Sequence, residues 1–332
     1  MALPLLPTPS TGTRFRHSLH RDSLKTCLAS FAGYAVVPYP VTPPLNIMKK
    51  IFICLLCSLF FFSCKEKIAL AQTEKAPQKL SEITRSPLST RNPEIDKLRR
   101  VFALMSERAK DAIPNGNPEE FLSDLHKVLD EESKNHRNDD LDLLYLIDKK
   151  HSVSSDYVPR DLKAVKNNEL WNVSRNDLSL RPESYAALEE LSRAALADGI
   201  KLMVSSTYRS YKYQEGLFNR YVKEDGLELA ERYSARPGTS QHQLGTAVDF
   251  GSITDDWGDT IMGKWVYNHA SEYGWSLSFP QDYEDVTGYM WECWHFRYIG
   301  KEACRFQKKW FSNIQQFMLE FIDFWKRDKP TA

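Results

Sequence analysis

Residues 237–250 read Pro-Gly-Thr-Ser-Gln-His-Gln-Leu-Gly-Thr-Ala-Val-Asp-Phe. Gly245 ends one short element, and Thr246–Phe250 has the composition of a strand. His242 and Asp249, an imidazole and a carboxylate, stand on either side of a glycine that lets the backbone reverse, so both can face one point. The same residue types are more often surface or capping groups. Taken alone, the spacing leaves a metal site and an ordinary turn both open.

The flanking sequence sets the frame. On the N-terminal side, Pro182 to Asp198 is an amphipathic helix with Tyr185, Leu188, Leu191, Ala194 and Ala195 at core spacing, stopped by Gly199. Ile200–Ser205 follows as a strand, leading to Thr207-Tyr208-Arg209-Ser210, and another helix continues through Gln214, Leu217 and Tyr221. On the C-terminal side come a helix near Trp265 to Tyr273, strand-like aromatic segments over Trp275–Phe279 and Tyr289–Tyr298, and a terminal helix from about Lys301 to Trp325. Helices and strands alternate irregularly without an internal repeat. The order predicts an α+β fold, a small antiparallel sheet with flanking helices, rather than a doubly wound one.

A second segment, Trp291-Glu292-Cys293-Trp294-His295-Phe296-Arg297-Tyr298, embeds a Glu and a His among aromatics with strong β character. A regular strand sends residues three apart to opposite faces, so Glu292 and His295 converge only at a bend, a bulge or a strand end. The alternative is a core strand whose Glu292 points to solvent. Together the two segments offer three ligands and one unliganded carboxylate, the inventory of a hydrolytic zinc site with an open fourth position. In such a site Glu292 suits a base better than a fourth ligand, because filling the open position would end the chemistry.

Composition narrows the classes. The 332 residues carry 44 basic and 44 acidic side chains, so no global field draws the chain toward nucleic acid, and no nucleic-acid partner is expected. Of six cysteines, Cys27, Cys54, Cys57 and Cys64 precede the folded body, which leaves Cys293 and Cys304. A disulfide framework is excluded; the two either pair in an oxidising compartment or remain free buried thiols.

Residues 48–64 begin Met-Lys-Lys, continue through the apolar run Ile51–Phe62 and end at Ser63-Cys64. This describes an export signal, too short to be counted as a transmembrane helix. The Ser63-Cys64 junction resembles a bacterial lipoprotein signal, which makes Cys64 the lipidation site and attaches the protein to the membrane there. The competing cut lies after Ala69-Leu70-Ala71. Residues 1–47 are a basic, unpatterned stretch ahead of a complete signal, read as an upstream extension from a misassigned start rather than as organelle targeting. Residues 65–91 are a polar tether with Pro77 and Pro87. Residues 92–138 form a short helical appendage: Asn92-Pro93 opens one helix carrying Leu98, Val101, Phe102 and Met105, and Pro118 to Ser133 is a second with Phe121, Leu125 and Leu129 on one face. His126 and His136 read as surface residues. The remaining 141–327 is the main domain.

Ser-x-His-x6-Asp followed by Glu-x-x-His within Glu292–Gly300 resembles the VanY-type D-alanyl-D-alanine carboxypeptidases, part of the LAS group of zinc peptidases. YVPRDL at 157–162, SSTYRSYKYQ at 205–214, the 237–250 stretch and TGYMWECWHFRYIG at 287–300 follow in the same order, covering roughly Leu143 to Phe306. The resemblance implies that His242, Asp249 and His295 bind Zn2+, that Glu292 is the catalytic base and that Arg209 stabilises the oxyanion. Arg209 is otherwise a surface ion pair. By the same carry-over Gln214 and Ser240 hold the peptide; their alternatives are a helix-surface and a turn role.

Several positions depart from the family pattern. Gln241 stands where Glu is frequent, Cys293 where Pro is frequent and Phe296 where Tyr is usual, and an arginine often seen before the Phe279-Pro280 pair is missing. None is expected to touch a metal ligand, and together they bear on substrate preference. The expected activity is removal of the terminal D-alanine from peptidoglycan stem peptides, outside the cytoplasmic membrane in the bacterial envelope. L,D-carboxypeptidase or wall endopeptidase action, or a non-catalytic wall-binding module, are the alternatives.

Overall fold

The computed structural model describes Leu80, residues 92–135 and residues 140–328. The upstream extension, the signal with Cys64, the tether apart from Leu80, and His136 lie outside the described residues.

The N-terminal helices are α1 (Pro93–Leu104), α2 (Glu107–Ala112) and α3 (Pro118–Asn135). The Asn92 side chain accepts from the Glu94 amide and Pro93 occupies the first turn, as the Asn-Pro pair predicts. Asn117 does the same for the amides of Glu119 and Glu120 at the start of α3. These helices share one apolar core with two C-terminal helices, α9 (Lys301–Trp310) and α10 (Gln315–Arg327). Phe121 sits at its centre, its ring 4.9 to 6.1 Å from those of Phe102, Phe306, Trp310, Phe311 and Phe321, all edge to face. Leu80 is fully buried in the same core.

The terminal helix expected as one piece is broken. Ser312 and Asn313 both have positive φ, 50° and 62°, and the chain turns there before α10 begins. The Gln307 side chain donates to the Asn313 carbonyl at 3.0 Å, fixing the turn. Gln315 is thereby delivered to the first position of α10, buried beside the sheet.

The main domain contains β1 (Lys163–Val165), β2 (Trp171–Val173), β3 (Leu178–Leu180), α4 (Pro182–Ala197), β4 (Leu202–Ser206), α5 (Tyr211–Asp225), α6 (Leu227–Tyr233), β5 (Ala247–Phe250), α7 (Ile261–His269), β6 (Trp275–Leu277), α8 (Glu284–Thr287) and β7 (His295–Tyr298). β1 and β3 form a two-stranded antiparallel ladder, and the other five strands form one sheet in the order β2-β4-β5-β7-β6. That sheet is antiparallel except for its edge pair β2–β4, so the architecture is α+β.

The register of the two central strands positions the site. β5 and β7 pair Ala247 with Arg297, Val248 with Phe296 and Asp249 with His295. Directly opposed residues share a face, and successive residues alternate faces. Val248, Phe250, Phe296 and Tyr298 therefore enter the apolar core with Leu188, Leu191 and Val266 of α4 and α7. Asp249 and His295 are left together on the opposite face. A one-residue slip would exchange them with the aromatic set.

Candidate metal centre

Four chain segments converge on that second face. β5 and β7 contribute Asp249 and His295. A 3₁₀ turn over Gln241–Leu244 contributes His242, and it closes at Gly245 with φ +69°. A Cβ at Gly245 would stand 3.1 to 3.2 Å from Leu162, Arg181 and Pro159 as well as in a left-handed conformation, which is why a glycine separates the two residues. The loop after β4 contributes Arg209, tied to the same turn by its backbone N–H, which donates to the His242 carbonyl at 3.2 Å.

One donor atom from each of His242, Asp249 and His295 lies within 4.8 Å of the others, and all three residues are buried. His242 Nε2 is 3.2 Å from Asp249 Oδ2, and His295 Nδ1 is 2.9 Å from Asp249 Oδ1. Glu292 lies just outside this triangle, its Oε2 3.7 Å from His295 Nδ1. It sits in the turn before β7, where the His295 amide donates to the Glu292 carbonyl, so the pair converges at a strand end. Arg209 Nη2 is 3.8 Å from Asp249 Oδ2.

The donors fit a divalent cation. His242 Nδ1 lies 2.6 Å from the Thr207 carbonyl, an acceptor, and therefore carries the proton. Its Nε2 then presents a lone pair to a carboxylate oxygen, and this buried atom has no hydrogen-bond partner. Two facing acceptors in a dry site call for positive charge between them. The titration tendencies agree. Burial, helped by the Arg209 charge, pushes His242 down to about 4, which keeps it neutral and able to act as a ligand. Glu292 is pushed well above the usual carboxylate value by burial and then by the Asp249 charge, with Arg209 acting in the opposite sense.

Gln214 and Ser240, candidates for holding a peptide, are both buried. Gln214 Oε1 accepts from Arg209 Nη1 at 3.0 Å while its amide nitrogen donates to the Ala235 carbonyl at 2.7 Å, so both ends are engaged within the protein and the side chain orients Arg209. Ser240 precedes the 3₁₀ turn without capping it through its side chain. Cys293 and Cys304 are free and buried, which decides between the two alternatives left by the sequence. Burial raises Cys293 to about 11, which keeps its thiol protonated near neutral pH.

Two participants were not identified from the sequence as part of the site. The Thr207 carbonyl is backbone, invisible to residue-type reasoning. Gln241, expected not to touch a metal ligand, does so: its Oε1 lies 3.1 Å from His295 Nε2.

The chain is similar to several known proteins. Residues 177–301 match the family model described as VanY: D-alanyl-D-alanine carboxypeptidase. The Bacillus subtilis (strain 168) protein YodJ is 30% identical over 248 residues, covering 73% of this chain and 81% of YodJ. The bifunctional D-Ala-D-Ala dipeptidase and D-Ala-D-Ala carboxypeptidase VanXYC of Enterococcus gallinarum is 33% identical over 169 residues, 48% of this chain and 85% of that protein. Among solved structures, a mutant of the vancomycin resistance D,D-pentapeptidase VanY in complex with Zn(II) aligns with 28% identity and a TM-score of 0.41, covering 49% of this chain and 90% of the other.

Proposed function

Because the chain belongs to the VanY family of D-alanyl-D-alanine carboxypeptidases, we propose that it is a zinc-dependent enzyme removing the terminal D-alanine from peptidoglycan stem peptides. The observation that carries this is the convergence of His242, Asp249 and His295 with a fourth residue beside them, the separate carboxylate Glu292. Three N/O donors with one position left open suit Zn2+ better than the harder divalent ions, which prefer all-oxygen sets.

His242 Nε2, an Asp249 carboxylate oxygen and His295 Nδ1 would hold the ion. Bound there, zinc supplies Lewis acidity, lowering the pKa of water toward about 7 and polarising the scissile carbonyl. Glu292 takes the proton from the attacking water and passes it to the leaving amine of D-alanine. Arg209, held by Gln214, aims its guanidinium at the oxygen that becomes negative in the tetrahedral intermediate. Burial of all three ligands excludes bulk water and strengthens each of these interactions.

The same proposal places the enzyme outside the cytoplasmic membrane, with residues 48–64 as the export signal and Cys64 as the lipid attachment point; the Ser63-Cys64 junction after an apolar run supports this. Muropeptides with pentapeptide and tetrapeptide stems, incubated separately with the zinc-loaded protein and followed by mass spectrometry, test the specificity. Loss of one alanine from pentapeptides is the expected result. Cleavage of tetrapeptides alone would move the enzyme to the L,D class, and no cleavage with wall binding would make it a binding module.

A further inference from the structure

Behind His295 runs a buried chain of neutral amides and hydroxyls that ends on a backbone carbonyl. Gln315 Nε2 donates to the Ser276 carbonyl of β6 at 3.2 Å. Gln241 Nε2 donates to Gln315 Oε1 at 3.3 Å. Gln241 Oε1 faces His295 Nε2 at 3.1 Å and accepts from the Ser278 hydroxyl at 2.7 Å, with Gln315 Oε1 3.2 Å from the same hydroxyl. Gln241, Ser278 and Gln315 are 7%, 2% and 1% exposed, so these bonds are shielded from bulk solvent.

A carbonyl oxygen can only accept, and this single fact propagates through the chain. Gln315 must turn its NH2 to Ser276, so its oxygen faces Gln241. Gln241 must therefore answer with its NH2, which leaves its own oxygen facing His295. A His295 ring that serves as a ligand then holds its proton on Nε2, and its lone pair lies on Nδ1, pointing at Asp249. Turning both amides over would set Gln315 Oε1 against the Ser276 carbonyl, and would set the Gln241 NH2 against His295 Nε2. The ring proton would then move to Nδ1, where Asp249 Oδ1, 2.9 Å away, would welcome it. That tautomer has no lone pair to offer an ion at the site.

We propose that Gln315, acting through Gln241, is a positioning residue that fixes the ligand-competent tautomer of His295, and so couples the C-terminal helix α10 to the metal centre. A carboxylate at position 241 would need no such pin, because it has no donor face to turn the wrong way. A glutamine does need one. The proposal rests on His295 being a ligand, as set out under the proposed function.

The test uses the full chain and Zn2+ alone, with affinity measured by competition against a chromophoric chelator. Gln315→Met keeps volume and removes the pin, and is expected to weaken zinc binding by about 10- to 100-fold, the usual effect of losing a group that orients a histidine ligand. Adding Gln241→Glu in that background is expected to restore most of the affinity, which a packing defect at Gln315 would not allow. Unchanged affinity in Gln315→Met, or a loss that Gln241→Glu fails to rescue while far-UV circular dichroism stays native, would overturn the proposal. His295→Ala separates the two levels: retained wild-type affinity there removes the ligand assignment itself, whereas lost affinity beside an unaffected Gln315→Met removes only the pin.

Discussion

Replacing Glu292 by glutamine keeps the shape of the side chain and removes its capacity to take a proton. The carboxylate is 13% exposed and 3.7 Å from His295 Nδ1, close enough to serve a water at the ligand cluster but outside the donor triangle. Loss of a positioned general base costs about 10²- to 10⁴-fold in kcat, or about 3 to 5 kcal/mol of barrier. Zinc content should stay at the wild-type level. A second readout follows from the raised proton affinity of Glu292. In the chelator-treated wild type, the folded state holds this proton more tightly than the unfolded state, so stability falls as pH rises above the ordinary carboxylate value. The glutamine variant lacks that loss, and its advantage in unfolding temperature over the wild type should grow from pH 4 to pH 7. The assays are D-alanine release, metal analysis of the purified protein, and thermal unfolding of the ion-free forms. Undiminished turnover would refute the base assignment, and loss of zinc along with turnover would make Glu292 a ligand instead.

Arg209→Met is expected to lower kcat by about 10²- to 10³-fold with zinc retained; steady-state kinetics with metal analysis checks this, and normal kcat would return Arg209 to a structural role beside Gln214. Phe121→Ala should cost about 3 to 5 kcal/mol by opening a cavity among five aromatic rings, read as a fall in the urea midpoint. Gly245→Ala should cost at least about 1 kcal/mol, because an L-residue at φ +69° is strained and its Cβ meets three side chains; equilibrium unfolding measures it, and a neutral result would show that the turn can re-form otherwise.

Much of the site was legible because its constraints are local. Gly245 between His242 and Asp249 announced a reversal, and the three-residue spacing of Glu292 and His295 required a bend, a bulge or a strand end, of which the turn before β7 provides the last. The helix at Pro182–Ala197 was equally plain, since its apolar stripe, initial proline and final Gly199 all act within the segment. The strands β1, β2 and β3 are three residues each, too short for alternation to show. The expected strand over Tyr289–Tyr298 shrank to His295–Tyr298, because aromatic composition records burial as well as β structure. The break at Ser312 and Asn313 carries no glycine or proline and is held by a side chain, Gln307, from the preceding helix. Gln315 illustrates the limit: a polar residue at a helix start has no sequence mark of burial, and its partners Ser276 and Gln241 are brought to it by tertiary packing alone.

The most direct test of the account is D-alanine release from a pentapeptide-stem muropeptide by the protein as purified, after chelation, and after zinc is added back. Release of one D-alanine per stem is expected, with its abolition by chelator and its recovery with one equivalent of zinc. Release that persists unchanged in metal-free protein would contradict it.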